Sequence, residues 1–264
     1  MSVPAAHEPY NPADVFALDE RVLAAPGRYV QGAGVLDRLG RYLRAACGPA
    51  MCRVAVLVSS GCLQRPEGAR ALASLAAAGV AHTQCVFGGE CTDDEIARHV
   101  AAIGRGDSVQ ALVAIGGGKC LDAGRCIAGR LCDGDGVPFV ACPTLASTNA
   151  ACSACSVVYA ARGGRTLRDE YFRSSPALVL VDSLPVLRAH PRYLAAGMGD
   201  AVAAAFEARA MRRQSAAAGG GARTESGARS TLAARALADT ASAVLMQHGA
   251  NTACGYSSGV FDWT

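Results

Sequence analysis

The sequence predicts an α/β chain in which a parallel-sheet domain runs into the start of an all-α domain. Three observations carry this. Short apolar, β-branched runs alternate with longer Ala/Leu-rich amphipathic stretches through about the first 185 residues, the pattern of βαβ units. The apolar runs are continuous rather than alternating, as strands covered on both faces must be. After Pro185 the composition turns to Ala-rich helix.

In chain order, a helix is expected near 34–46, strands at 53–58 and 82–87 with a helix at 66–79 between them, and a helix at 93–103. A strand at 110–115, a helix at 119–131 and strands at 138–142 and 178–182 complete the alternation. Segments 156–160 and 167–172 flank Arg162-Gly163-Gly164-Arg165 and read as an antiparallel hairpin. Helices are expected at 191–213 and about 229–247, with the small and polar stretch 215–230 as a loop between them. The tail from His248 onward shows neither period and reads as an unfinished end. These readings divide the chain into an N-terminal extension (1–20), a parallel-sheet α/β domain (21–185) and a helical region (186–264).

Composition narrows the function. Lys and Arg number 25 against 22 acids, and the basic residues are scattered, so neither a nucleic acid nor a membrane surface is an expected partner. Charges or Gly/Pro interrupt every apolar stretch before it reaches membrane-spanning length, and the start lacks the pattern of a secretory leader, so the expected compartment is the cytoplasm. The 12 cysteines sit mostly in apolar runs (Cys85, Cys120, Cys126, Cys142) and are read as free, buried thiols. Cys152 and Cys155 form the close pair, which alone falls short of a four-ligand zinc site.

The chemistry concentrates after the strand at 110–115, where Gly116-Gly117-Gly118-Lys119 precedes Asp122 and a helix. Glycines at a strand-to-helix turn let backbone N–H groups approach a pyrophosphate seated on the positive helix end. The strict dinucleotide and Walker patterns are absent, so this is a different phosphate loop. Lys119 is the only lysine among the 25 basic residues. A chain that otherwise uses arginine keeps a compact ammonium where phosphate oxygens are expected.

Five stretches carry a resemblance: PGRYVQGAGVLDRLGRYL, FGGEC at 87–91, IGGGKCLDAGR, PTLASTNAACSACSVVY at 143–159 and YLAAGMGDAVAAAFEARA at 193–210. On these the chain resembles the iron-containing (group III) alcohol dehydrogenase family, and within it the glycerol dehydrogenases, which share a dehydroquinate synthase-like architecture. The resemblance implies metal-assisted hydride transfer from glycerol, or a similar small polyol or alcohol, to NAD, with NADP also open, and it makes 21–185 a dinucleotide-binding domain and 186–264 a truncated helical, metal-binding domain. It places the pyrophosphate on Gly117, Gly118 and Lys119, supported by Asp122. It places the nicotinamide half on Thr144, Ser147 and their neighbours Leu145, Ala146 and Thr148, with further contacts from Ser153, Cys155 and Tyr159.

Asn149 stands where many glycerol dehydrogenases carry an Asp beside the substrate hydroxyls, and it is the expected substrate contact. Ser59-Ser60 stands where the family carries an acid for the adenosine ribose, which predicts weakened preference for NAD over NADP. Asp200, read at the start of a helix, matches the family's metal-binding Asp and is expected to hold a divalent Zn or Fe. The family's two metal-binding His have no counterpart among His7, His82, His99, His190 and His248. The metal is therefore expected to be weakly held, and an inactive nucleotide-binding remnant is the alternative function. Homo-oligomerisation stays open, as do a related enzyme acting on phosphorylated or polyanionic substrates and a Cys152/Cys155 redox or zinc module.

Overall fold

The computed structural model describes residues 10–15, 20–104, 108–132, 136–161, 164–217 and 230–258. Continuous apolar runs become the buried strands of a six-stranded, all-parallel sheet: β1 (Tyr29–Gly32), β2 (Arg53–Ser59), β3 (Ala81–Phe87), β4 (Leu112–Gly116), β5 (Phe139–Pro143) and β8 (Leu178–Asp182), in the order β1-β8-β5-β4-β2-β3. The central β4 and β5 are buried along their whole length, while edge strand β3 buries only Cys85 and Phe87, both on one face. β1 was not expected from the sequence: four residues of mixed polarity carry too little signal, and it is the pairing of Tyr29–Gly32 with β8 that makes them a strand.

Helices cover both faces, as two separate cores record. On one face α4 (Asp93–Ile103) and α5 (Gly118–Ala128) pack Ile96, Leu121 and Ile127 against Leu57, Leu112 and Phe139. On the other, α1 (Leu39–Cys47) and α3 (Pro66–Ala77) pack Leu39, Leu43 and Leu75 against Val54, Val56, Val113 and Leu180. The helix expected at 34–46 divides into a 3-10 turn at Val35–Arg38 followed by α1. A one-turn α2 (Ser60–Leu63), unforeseen, carries β2 towards α3.

The expected hairpin is present as β6 (Cys155–Tyr159) and β7 (Thr166–Tyr171), a separate antiparallel pair lying against α5. Tyr10 bridges to Tyr171, so part of the N-terminal segment extends this small sheet. The buried carboxylate of Asp182 ends β8 by accepting from the N–H groups of Gly34, Leu36 and Leu184 at 2.9–3.1 Å, which leads the chain into α6 (Ser183–Leu187). The buried Glu67 at the start of α3 pairs with Arg188, just before the long helices begin.

Those helices depart from expectation at their ends. α7 spans Pro191–Ala217 and α8 spans Leu232–Ser258, packed on one another with Ala205 and Ser242 buried. The loop expected from 215 therefore begins no earlier than 218, and residues 218–229 lie outside the described residues. The tail expected to be irregular from His248 is helical to Ser258; its Ala, Thr and Cys residues lack amphipathic contrast, which hid the helix from a periodicity test. No helix among the described residues is long and apolar enough to cross a membrane. The described cysteines are free, and Cys85, Cys120, Cys126 and Cys142 are buried as expected, whereas Cys52 and Cys132 are exposed.

Candidate functional site

Strand β2 connects outward to β3, and the chain then crosses back to place β4 on the other side of β2. At such a switch the outgoing connections diverge and leave a crevice at the carboxyl ends of the strands. A cavity of about 710 Å³ opens there, lined by Ser59 from the end of β2 and by Gly117, Gly118 and Lys119 beyond β4. Ser147, Thr148 and Asn149 after β5, together with Ser153, Cys155 and Tyr159 around β6, complete most of its wall.

The turn after β4 is built for close approach. Gly117 caps α5 with no side-chain hydrogen bond, and the first turn contains no acid, so the positive helix end is left uncompensated. A Cβ on Gly117 would lie 2.8 Å from Leu145 Cδ1, and one on Gly118 would lie 2.8 Å from Thr148 Cγ2. Larger residues would fill the space between this turn and the loop after β5. The arrangement leaves backbone donors facing an open cavity, a geometry suited to a phosphate group.

Lys119, in the first turn of α5, reaches across the cavity mouth. Its Nζ donates to both carboxylate oxygens of Glu90 at 2.7 Å and lies 4.9 Å from the centre of the Tyr159 ring. Asp122, one turn further on, is buried at the cavity floor. Burial pushes its carboxyl up to about 7, although the Val157 N–H and the Arg125 guanidinium pull the other way. Near neutrality the floor thus carries less negative charge than a free aspartate would place there.

That shift has a sign for stability. The unfolded carboxyl titrates near pH 4, so from about pH 4 to about pH 7 the folded chain holds the extra proton, and folding weakens as pH rises through this window. Replacing Asp122 with Asn should remove this share of the slope. We expect the variant to gain on the order of 2–4 kcal/mol over the wild type between pH 5 and pH 8. Parallel melting-temperature profiles for the two proteins would contradict this.

Most of the residues expected from the sequence meet in the cavity: Gly117, Gly118, Lys119, Asp122, Ser147, Asn149, Ser153, Cys155 and Tyr159 all line it. Three do not. Ala146 sets its carbonyl against Gly197 of α7. Thr144 instead ties the sheet together, its N–H donating to the Gly116 carbonyl at 2.9 Å. Asp200 is exposed and stands well inside α7, which begins at Pro191 as the expected helix at 191–213 does, so the reading of Asp200 at the start of a helix is corrected. Residues 193, 197 and 200 fall on one stripe of α7. Tyr193 on that stripe lines the cavity, and Gly197 sits against the Ala146 carbonyl, so Asp200 lies one turn beyond the contact between α7 and the loop after β5. His248 is exposed on α8.

Among the described residues no three His, Cys, Asp or Glu side chains gather into a group able to hold a metal ion. Asp200 by itself does not make a metal centre. Sequence reasoning missed Tyr193, Phe87, Gly89 and Asp169 as cavity residues. Tyr193 was within reach, being four residues before Gly197 and so on its helical face. Phe87 and Gly89 sit at the carboxyl end of a parallel strand, where such crevices open. Asp169 reaches the cavity through the pairing of Val157 with Asp169, which only the hairpin register reveals.

Comparison with known proteins gives concordant results. The family model for iron-containing alcohol dehydrogenases matches residues 26–183. The chain is 38% identical over 232 residues to a glycerol dehydrogenase of Escherichia coli O6:H1, covering 87% of this chain and 58% of that protein. It is 42% identical over 200 residues to a glycerol dehydrogenase of Pseudomonas putida, covering 75% of this chain and 51% of the relative. The crystal structure of a probable glycerol dehydrogenase from Sinorhizobium meliloti 1021 superposes with a TM-score of 0.80 at 29% identity, over 92% of this chain and 62% of that one. The chain thus spans between half and two thirds of the length of these relatives.

Proposed function

The chain belongs to the iron-containing alcohol dehydrogenase family, and we propose that it binds a nicotinamide dinucleotide as part of an oxidoreductase acting on glycerol or a similar small polyol. The observation that carries the proposal is the cavity at the sheet's switch point, with a glycine cradle and an uncapped helix end on one wall. We take residues 21–185 as the dinucleotide-binding unit and 186–264 as part of a helical unit. The free thiols of the described chain suit a reducing compartment, the cytoplasm.

In this reading a bound NAD would supply the hydride acceptor for oxidation of the alcohol carbon. The chain's own residues bind and orient. Gly117 and Gly118 allow the pyrophosphate onto the first turn of α5, and Lys119 adds a charge-assisted donor. Ser147, Ser153 and Tyr159 offer polar groups to the nicotinamide half, and Asn149 offers an amide to a substrate hydroxyl. Among the described lining residues Lys119 is the only cation, and Glu90 already neutralises it, which favours a neutral alcohol over a phosphorylated or polyanionic substrate. A divalent Zn or Fe has only Asp200 to hold it among the residues the family resemblance points to, so we propose weak retention.

Titration of the purified chain with NADH, followed by assay of glycerol-dependent NAD reduction with and without added metal, tests the proposal. Binding with turnover supports the enzyme, binding without turnover supports a nucleotide-binding remnant, and absence of binding refutes both. A second outcome follows from Ser59-Ser60, of which Ser59 lines the cavity, since neither residue carries the charge that would repel a 2′-phosphate. NADH and NADPH dissociation constants should differ by less than about a hundredfold, roughly 2.7 kcal/mol. A wider gap would show that backbone or other groups exclude the extra phosphate.

A further inference from the structure

We propose that Glu90 is the counterion that tunes the phosphate cradle: it holds Lys119 as a neutralised pair at the cavity mouth, so an incoming pyrophosphate must draw the ammonium away from a carboxylate that also repels it. The inference rests on the dinucleotide reading of the cavity. The contact is specific, with Nζ equidistant at 2.7 Å from both oxygens and stacked over Tyr159 on its other side.

Glu90 is placed there by a stiff loop. The Gly88 N–H donates to Glu95 Oε1 at 2.7 Å, and Gly89 takes a φ of +112°, which strongly favours glycine. Thr92 caps α4 by accepting from the Glu95 N–H at 3.3 Å. On the far side the Tyr159 N–H donates to the Cys91 carbonyl at 2.8 Å, tying the loop to the strand whose ring supports Lys119.

None of these anchors uses the Glu90 side chain, which is half exposed and faces a shallow depression beside the main cavity. An exposed ion pair adds little to folding. Its effect falls instead on the ligand. With Lys119 engaged, a phosphate shares the ammonium with Glu90 or takes it over by breaking those two contacts, and in either case it does so close to a second negative charge. Glu90 therefore weakens the hold on the dinucleotide and hastens its release.

The test is NADH binding to the full chain, by fluorescence titration and stopped-flow dissociation, in a cycle of Glu90→Gln and Lys119→Ala. In the wild-type background Glu90→Gln should tighten NADH about fivefold at low salt and slow its dissociation. In the Lys119→Ala background, where only repulsion remains to be relieved, the gain should fall to about twofold or less. Both gains should shrink in about 0.5 M salt. Glu90→Ala should act in the same direction, and unchanged melting temperatures would show that folding is intact. Weaker binding of Glu90→Gln would mean that the carboxylate orients Lys119 for phosphate, and equal gains in both backgrounds would mean a diffuse charge effect; either overturns the proposal. If wild-type NADH binding is present but Glu90→Gln leaves it unchanged, this inference alone fails. If the wild type does not bind, the dinucleotide reading fails and this inference goes with it.

Discussion

Replacing Lys119 with alanine is expected to weaken NADH binding at least tenfold while leaving the melting temperature nearly unchanged. The two halves of this expectation have separate origins. A charge-assisted hydrogen bond is worth roughly 1.5–3 kcal/mol, which is about a ten- to hundredfold change in affinity. For folding, Lys119 makes only a partly exposed pair with Glu90 and a ring contact with Tyr159, and exposed pairs contribute at most about 1 kcal/mol. Lysine to arginine should not fully restore binding, because a planar fork offers its donors in a different geometry from a compact ammonium. Titration of the three proteins beside their thermal melts checks both halves, and an unchanged NADH curve for the alanine variant would reject the role.

The glycine-turn side of this cavity was legible in the sequence because its residues are local. Gly117, Gly118, Lys119 and Asp122 follow one strand and open one helix, so strand-to-helix order alone places them at a helix N-terminus, and the structure puts α5 within a residue of the expected start. What the sequence could not supply was the partner of Lys119. Glu90 lies 29 positions away, and the two meet only because β3 and β4 flank β2 in the same sheet. Tyr159 was expected as a cofactor contact, but its place beneath the ammonium depends on the hairpin lying against α5. The helical region was read less well, for a physical reason. In α7 and α8 Ala is the commonest residue and polar and apolar residues are mixed without a clear helical period, so neither helix ends nor buried faces stand out. The reading of Asp200 at a helix start failed for the same reason: two neighbouring glycines look like a break, yet α7 runs through both.

Those two glycines should respond to the same substitution with opposite sign. Glycine in a helix interior costs about 0.5–1 kcal/mol relative to alanine, so propensity alone predicts that either change stabilises. At Gly199 nothing lies within 4 Å of the added Cβ, and Gly199→Ala should stabilise by up to about 1 kcal/mol. At Gly197 the Cβ would overlap the Ala146 carbonyl and lie 3.2 Å from Ser147 Cα. These are backbone atoms that cannot swing aside, so either α7 or the loop after β5 must move. Overpacking of this kind costs roughly 1–3 kcal/mol, enough to outweigh the propensity gain. At about 2–4 °C per kcal/mol for a chain of this size, Gly197→Ala should melt several degrees below the wild type, and Gly199→Ala slightly above it. The same displacement carries Tyr193 away from the cavity and shifts Ser147 on its opposite wall, so Gly197→Ala should also weaken NADH binding, which Gly199→Ala should leave alone. If both variants melt above the wild type and bind NADH equally well, α7 does not rest on this loop, and the helical region does not help shape the site.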